Sequence, residues 1–192
     1  MSFPPLALLA ALAAAVGACG TADAPEPTPP PPAEVPDLPP DTVDVRDVAR
    51  AEATIEPIGP GHAEGTITFG RVVGGVRVRA VLTGLSESDF HALQILRGRD
   101  CTADPAVHLG VDAGTPHGGP YSFPDLRHAG DLGNIRADGG RGRYDRIDPV
   151  LSFDGTMSLV GRAVVVRAGR DDAASPDGAA GAVIGCGVIE GS

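Results

Sequence analysis

The clearest two-residue period in the chain is Val76-Arg77-Val78-Arg79-Ala80-Val81-Leu82, where apolar and charged positions alternate at the start of the run. A strand with one face buried and the other in water has this pattern. Gly65-Thr66-Ile67-Thr68-Phe69-Gly70 is a second short strand bounded by glycines, and Gly74-Gly75 between the two is a hairpin signal. Leu159 to Arg167 (LVGRAVVVR) and Ala182 to Ile189 (AVIGCGVI) are further β-rich runs. No long segment repeats at the helical period. Short strands with glycine-rich turns predict an all-β sandwich or barrel for residues 51–192, a length sufficient for a single core. Asp104 to Gly130 departs from the pattern, being long, irregular and interrupted throughout by Pro and Gly. A loop of that length inside a compact domain is either functional or disordered.

Upstream the apolar residues have no period. Leu6 to Val16, LALLAALAAAV, is uncharged and has the length of a secretory signal core. It is shorter than the roughly 20 residues that a membrane span needs. Val16-Gly17-Ala18-Cys19-Gly20 follows directly and resembles the bacterial lipobox, in which the Cys is lipidated and becomes the first residue of the mature protein. The other reading is a plain secretory signal with Cys19 incidental. Residues 20–50 contain the Pro-rich stretch Ala24 to Pro40, which cannot bury a core and favours extended polyproline II. The expected organisation is therefore a signal peptide at 1–18, a lipidated Cys19 with a Pro-rich acidic linker over 19–50, and one folded domain at 51–192. Its expected place is the bacterial cell envelope, held to the membrane through Cys19 on a periplasmic or extracellular face.

Composition narrows the function classes. The 192 residues carry 25 acids against 15 basic residues, every one of the latter Arg, for a net charge of −10. Nucleic-acid binding is not expected, because phosphate neutralisation needs a basic face. The 4% aromatic content and the many Gly and Pro argue against a large helical domain. The Arg residues around Arg141 and Arg143 read as solvated turn charges.

Of the three Cys, Cys101 and Cys186 remain if Cys19 carries lipid. Export would permit them to oxidise, and a bridge would contribute on the order of 4 kcal/mol in the chain-entropy model; two buried free thiols are the alternative. Of the five His, His108, His117 and His128 fall in the long loop, and Asp131 follows the last. Three imidazoles and a carboxylate form an N₃O set suited to tetrahedral Zn²⁺, although loop histidines are also often simply solvated. His62 lies far upstream and reads as a surface turn residue.

The words around these residues carry a family resemblance. Leu126-Arg127-His128-Ala129-Gly130-Asp131-Leu132-Gly133-Asn134-Ile135 closely resembles the RHxGDLGN signature of copper/zinc superoxide dismutases. His117-Gly118-Gly119-Pro120, Gly161-Arg162-Ala163-Val164-Val165-Val166, Cys186-Gly187-Val188-Ile189 and Gly84-Leu85-Ser86-Glu87 resemble further words of that family, in family order. The resemblance implies an eight-stranded Greek-key β-barrel or flattened sandwich with a long zinc loop. It implies a Cys101–Cys186 disulfide, zinc ligands His108, His117, His128 and Asp131, and a hydrogen-bonded acid at Asp171 or Asp172, with Asp171 favoured by spacing.

The copper half differs. His91 aligns with a structural His, the copper-ligand positions hold Gln94, Leu96 and Arg167, and Val183 stands where the family places its guiding Arg. Dismutation needs a metal that cycles between oxidation states, which Zn²⁺ does not. Leu96 cannot ligate, a Gln amide is a poor copper ligand, and Arg has no lone pair to offer. The expectation is a zinc-binding, superoxide-dismutase-like lipoprotein with copper absent, acting as a non-enzymatic scaffold or binding module for an unknown partner. An active dismutase with an unrecognised redox metal site is the alternative, and reversible zinc buffering ranks below both. A homodimer is compatible with the family, whose varied interface is not carried over.

Overall fold

The computed structural model describes residues 49–192, apart from 60 and 87–88. The expected signal peptide, Cys19 and nearly all of the expected Pro-rich linker lie outside the described residues. Nine strands follow in chain order: β1 Arg50–Pro57, β2 Glu64–Val72, β3 Gly75–Thr83, β4 Phe90–Ile95, β5 Asp131–Asp138, β6 Arg141–Asp148, β7 Ala163–Arg167, β8 Val183–Val188 and β9 Glu190–Gly191. The strand order is β2-β3-β6-β5-β4-β7-β8-β1, and pairing of β1 with β2 closes the ring. Every pairing is antiparallel. The two-residue β9 adds to β1 outside this closure. The result is the expected eight-stranded antiparallel barrel, with Greek-key jumps from β3 to β6 and from β4 to β7. Closure removes the unpaired edges that an open sheet would expose.

Alternation places the core. β1, β2 and β3 turn Ala51, Ala53, Ile55, Ile67, Phe69, Val76, Val78, Ala80 and Leu82 inward. Leu93, Ile95, Leu132, Ile135, Val164, Val166 and Ile189 complete the interior. A smaller cluster of Leu96, Ala163, Val165 and Cys186 forms on the other face, with Val183 packed against it. The hairpin expected at Gly74-Gly75 joins β2 to β3, with Val72 paired to Gly75.

Two expectations change. The run Leu159 to Arg167 is a strand only from Ala163. Its first part is a turn, in which the Arg162 guanidinium donates to the carbonyls of Ser158, Thr156 and Arg97. Arg141 and Arg143 are exposed, as expected of solvated charges, but they lie on β6 rather than in a turn.

The segment between β4 and β5 is irregular except for single turns of 3-10 helix at Val111–Ala113 and Pro124–Leu126. It is pinned to the barrel rather than loose. Leu109 N–H donates to the Ile95 carbonyl and Gly130 N–H to the Leu109 carbonyl, both at 2.8 Å. Cys101 and Cys186 are joined in a disulfide, which excludes the two-thiol alternative and ties the start of the loop to β8. Among the described residues no helix is long and apolar enough to cross a membrane.

Candidate metal centre

A bulge brings the loop and the barrel together. Leu93 pairs with Gly133, but Gln94 pairs with Asp131, so Leu132 is the extra residue. Gly133 supplies the left-handed backbone at φ 79°, and a Cβ there would lie 2.5 Å from the Pro120 ring. Bulges of this kind bend a strand and re-aim its side chains. Here Asp131 becomes fully buried beneath the loop.

Three loop imidazoles converge on that carboxylate. Nδ1 of His108, His117 and His128 lie 2.8, 3.1 and 3.3 Å from Asp131 Oδ1. One candidate ligand atom from each of the four residues lies within 4.8 Å of the others, and all four residues are buried. The second carboxylate oxygen accepts N–H bonds from His128 at 2.8 Å and Gly118 at 3.0 Å.

The outer edges of the rings fix which nitrogen faces inward. His117 Nε2 lies 2.8 Å from Asp171 Oδ1, and His128 Nε2 lies 2.9 Å from the Thr115 carbonyl. Both partners are acceptors, so both Nε2 atoms donate, and a neutral ring then turns an Nδ1 lone pair inward. Those lone pairs face a carboxylate oxygen, and His117 Nδ1 and His128 Nδ1 have no hydrogen-bond partner. With neutral rings only His108 Nδ1, 2.8 Å from Asp131 Oδ1, can donate there, so the other two lone pairs and the carboxylate repel unless a cation, a proton or a metal ion, sits among them. The four residues therefore fit a bound metal ion, and an N₃O donor set is one that Zn²⁺ accepts.

In the metal-free cluster a proton on His117 is that cation, and it lets Nδ1 donate to Asp131 Oδ1 at 3.1 Å. Burial opposes protonation of His117, but hydrogen bonds and charge from Asp131 and Asp171 outweigh it and raise the ring to about 9. Burial alone would raise the Asp131 carboxyl. The hydrogen bonds from His108 and His117, the charge of His117 and the Gly118 N–H hold it well below the usual carboxylate range.

Supporting contacts include several that motif reading did not single out. Asp171, the acid favoured by spacing, is the one that reaches His117, whereas Asp172 is exposed and bonds to Ser175. Asn134 holds Asp171 by accepting its N–H at 2.7 Å. Arg127 is fully buried; its Nη2 donates to both Asp148 carboxylate oxygens and its Nη1 to the carbonyls of His128 and Asp131. Only the buried pairing, which joins the loop to the end of β6, reveals these roles.

The positions expected to lack copper ligands lie alongside. Leu96 is buried in the small apolar cluster. Arg167 donates from Nη1 to Gln94 Oε1 at 2.9 Å and to the Pro105 carbonyl at 3.1 Å, and from Nε to the Gly181 carbonyl at 2.8 Å. Burial lowers its pKa, opposed by the charges of Asp177, Asp171 and Asp104. His91 Nδ1 donates to the Arg167 carbonyl and its Nε2 accepts from Ser86 N–H, so this ring is structural. Val183 is half-buried, and His62 is exposed.

Fold and site together define a closed antiparallel β-barrel protein with a loop-borne His₃Asp centre capable of holding a metal. The family described as copper/zinc superoxide dismutase (SODC) matches residues 63–189, and the chain belongs to it. It is 34% identical to a copper/zinc superoxide dismutase of Paramecium bursaria Chlorella virus 1 over 67% of this chain and 73% of that one. It is 31% identical to superoxide dismutase [Cu-Zn] A of Xenopus laevis over 68% of this chain and 91% of the relative. Among solved structures it resembles the clock protein EA4, with a TM-score of 0.64 and 29% identity over 73% of this chain and 93% of that one.

Proposed function

We propose that this protein is a zinc-holding member of its family that does not carry out copper-dependent dismutation and serves the cell envelope as a binding or scaffold module. The observation that carries the reading is Arg167. A buried guanidinium, bonded to Gln94 and two carbonyls, occupies a position where the family resemblance calls for a copper ligand. A permanent cation without a lone pair cannot ligate copper and repels it. With Gln94 engaged and Leu96 apolar, only His108 remains of the copper set that the family resemblance implies, in which this ring would bridge zinc and copper, and its Nε2 is buried without a partner.

The His₃Asp group supports the zinc half of the reading. Zn²⁺ there would use His108, His117, His128 and Asp131, and four protein ligands make a closed, structural site. Its binding free energy then becomes folding free energy for a loop with little apolar core of its own. The lipobox-like segment at Cys19 supports attachment to an envelope membrane.

Elemental mass spectrometry on the purified full-length protein, loaded with zinc and copper and then dialysed, tests this reading together with a superoxide-decay assay. One zinc per chain, no copper and decay at the metal-free background are expected. Stoichiometric copper with accelerated decay would overturn the reading.

A further inference from the structure

We infer that Arg167 is a positioning residue for the metal group: a resident cation that clamps two loops to the barrel and so governs how slowly the metal leaves. This rests on the reading that the His₃Asp group holds zinc. The guanidinium joins three segments distant in sequence. Gln94 lies on β4, Pro105 precedes the ligand His108 by three residues, and Gly181 closes the loop that began with Asp171. The backbone of Arg167 is fixed in turn, because its carbonyl accepts from the buried His91 at 3.0 Å.

The clamp connects to the metal group through packing. Gly178 lies so close that an added Cβ would stand 2.9 Å from Gln94 Nε2, 3.0 Å from Asp171 Oδ1 and 3.1 Å from His117 Nε2. Gln94, held by Arg167, and the His117–Asp171 hydrogen bond therefore line one crowded spot. Gln94 Nε2 also reaches the Asp177 carbonyl at 3.5 Å. Arg167 touches no candidate ligand, yet it fastens the segment that delivers His108 and the loop that supplies Asp171. A planar fork can serve three acceptors at once. A Lys ammonium keeps the charge but lacks that geometry.

The test uses the full-length zinc-loaded protein as wild type, Arg167→Met and Arg167→Lys. Two quantities are measured: zinc release to an excess of chelator, and amide hydrogen exchange resolved by segment. In Arg167→Met, release is expected to be about 10- to 100-fold faster, if the loss of metal affinity usual when groups supporting ligands are removed falls on the dissociation rate. Exchange should rise in residues 103–109 and 171–183 and stay at the wild-type level in β2 and β3. Arg167→Lys should recover part of both effects. Equal release and exchange in wild type and Arg167→Met would overturn the inference. So would a Lys variant as defective as the Met variant, with exchange raised across the barrel. If Arg167→Met does not fold, the comparison of wild type with Arg167→Lys decides: faster release in the variant supports the clamp, and equal release refutes it. A wild type that retains no zinc defeats the zinc reading alone, and segment exchange in the metal-free proteins still judges the clamp.

Discussion

At the scale of single residues, Asp131 is the hub of the candidate centre. One oxygen meets three imidazoles, and the other is held by the N–H groups of His128 and Gly118. Asp131→Asn keeps the shape, removes the charge and is expected to weaken zinc at least about 100-fold, beyond the range for supporting groups; competition with a chelator of known affinity measures it. His117 sets the pH response. In the metal-free protein its pKa is raised to about 9, above the ordinary 6.5 or so. Its contribution to stability is present in full below that ordinary value and is lost as pH rises through about 9. Zinc needs the Nδ1 lone pair, so binding at pH 8 should expel about one proton from this ring, and that release should vanish by pH 10. Calorimetry in buffers of different ionisation enthalpy counts the protons; a count from this ring that is unchanged between the two pH values would contradict the assignment. The buried cluster of His108, His117, His128 and Asp131 was legible in the sequence as a candidate because His128-x-x-Asp131 sits inside a long recognisable word. Thr115, whose carbonyl orients His128, was not, because a backbone acceptor leaves no trace in residue type.

At the scale of elements, the alternating runs of β2 and β3 and the continuous β-rich runs holding β7 and β8 were readable, whereas β1, with two alanines among its inward residues, and β6 were not. β2 and β3 expose their period through Ile67, Phe69, Val76 and Val78. β6, RGRYDRID, is invisible to such a search because Gly142, Tyr144, Arg146 and Asp148 take its inward positions. Tyr144 is half-buried and donates to the Leu132 carbonyl at 2.7 Å, and Asp148 is neutralised by Arg127. That pair joins β6 to the loop before β5, so its loss should register in two ways. Arg127→Met leaves the buried Asp148 carboxylate with only Arg146 Nε at 3.9 Å and the N–H groups of Val150 and Leu151, and is expected to cost about 3 kcal/mol in urea unfolding of the metal-free protein, the low end for a broken buried pair. It also strips a donor from the carbonyls of His128 and Asp131. Adding Asp148→Leu should recover stability but not zinc affinity, because the lost carbonyl contacts belong to Arg127 alone. Full recovery of both would show that Arg127 supports only the barrel.

At the scale of the whole molecule, two constraints act on one loop. The disulfide joins residues 85 apart and anchors the loop at Cys101. A metal at His108, His117, His128 and Asp131 would cross-link the same loop further along. Each closure removes chain entropy from the open state, so once one is made the other has less left to remove. The two should therefore favour each other in the folded protein. By linkage the coupling is reciprocal: reducing Cys101–Cys186 should weaken zinc by the same factor by which removing zinc favours reduction. A factor of about tenfold is expected, within the usual span for coupled sites. Zinc competition on oxidised and reduced protein gives one side of the cycle. Thiol–disulfide equilibration with and without zinc gives the other, and the two factors must agree if the barrel stays folded throughout. Equal zinc affinity in both redox states would mean that the hydrogen bonds from Leu109 to Ile95 and from Gly130 to Leu109 already fix the loop by themselves.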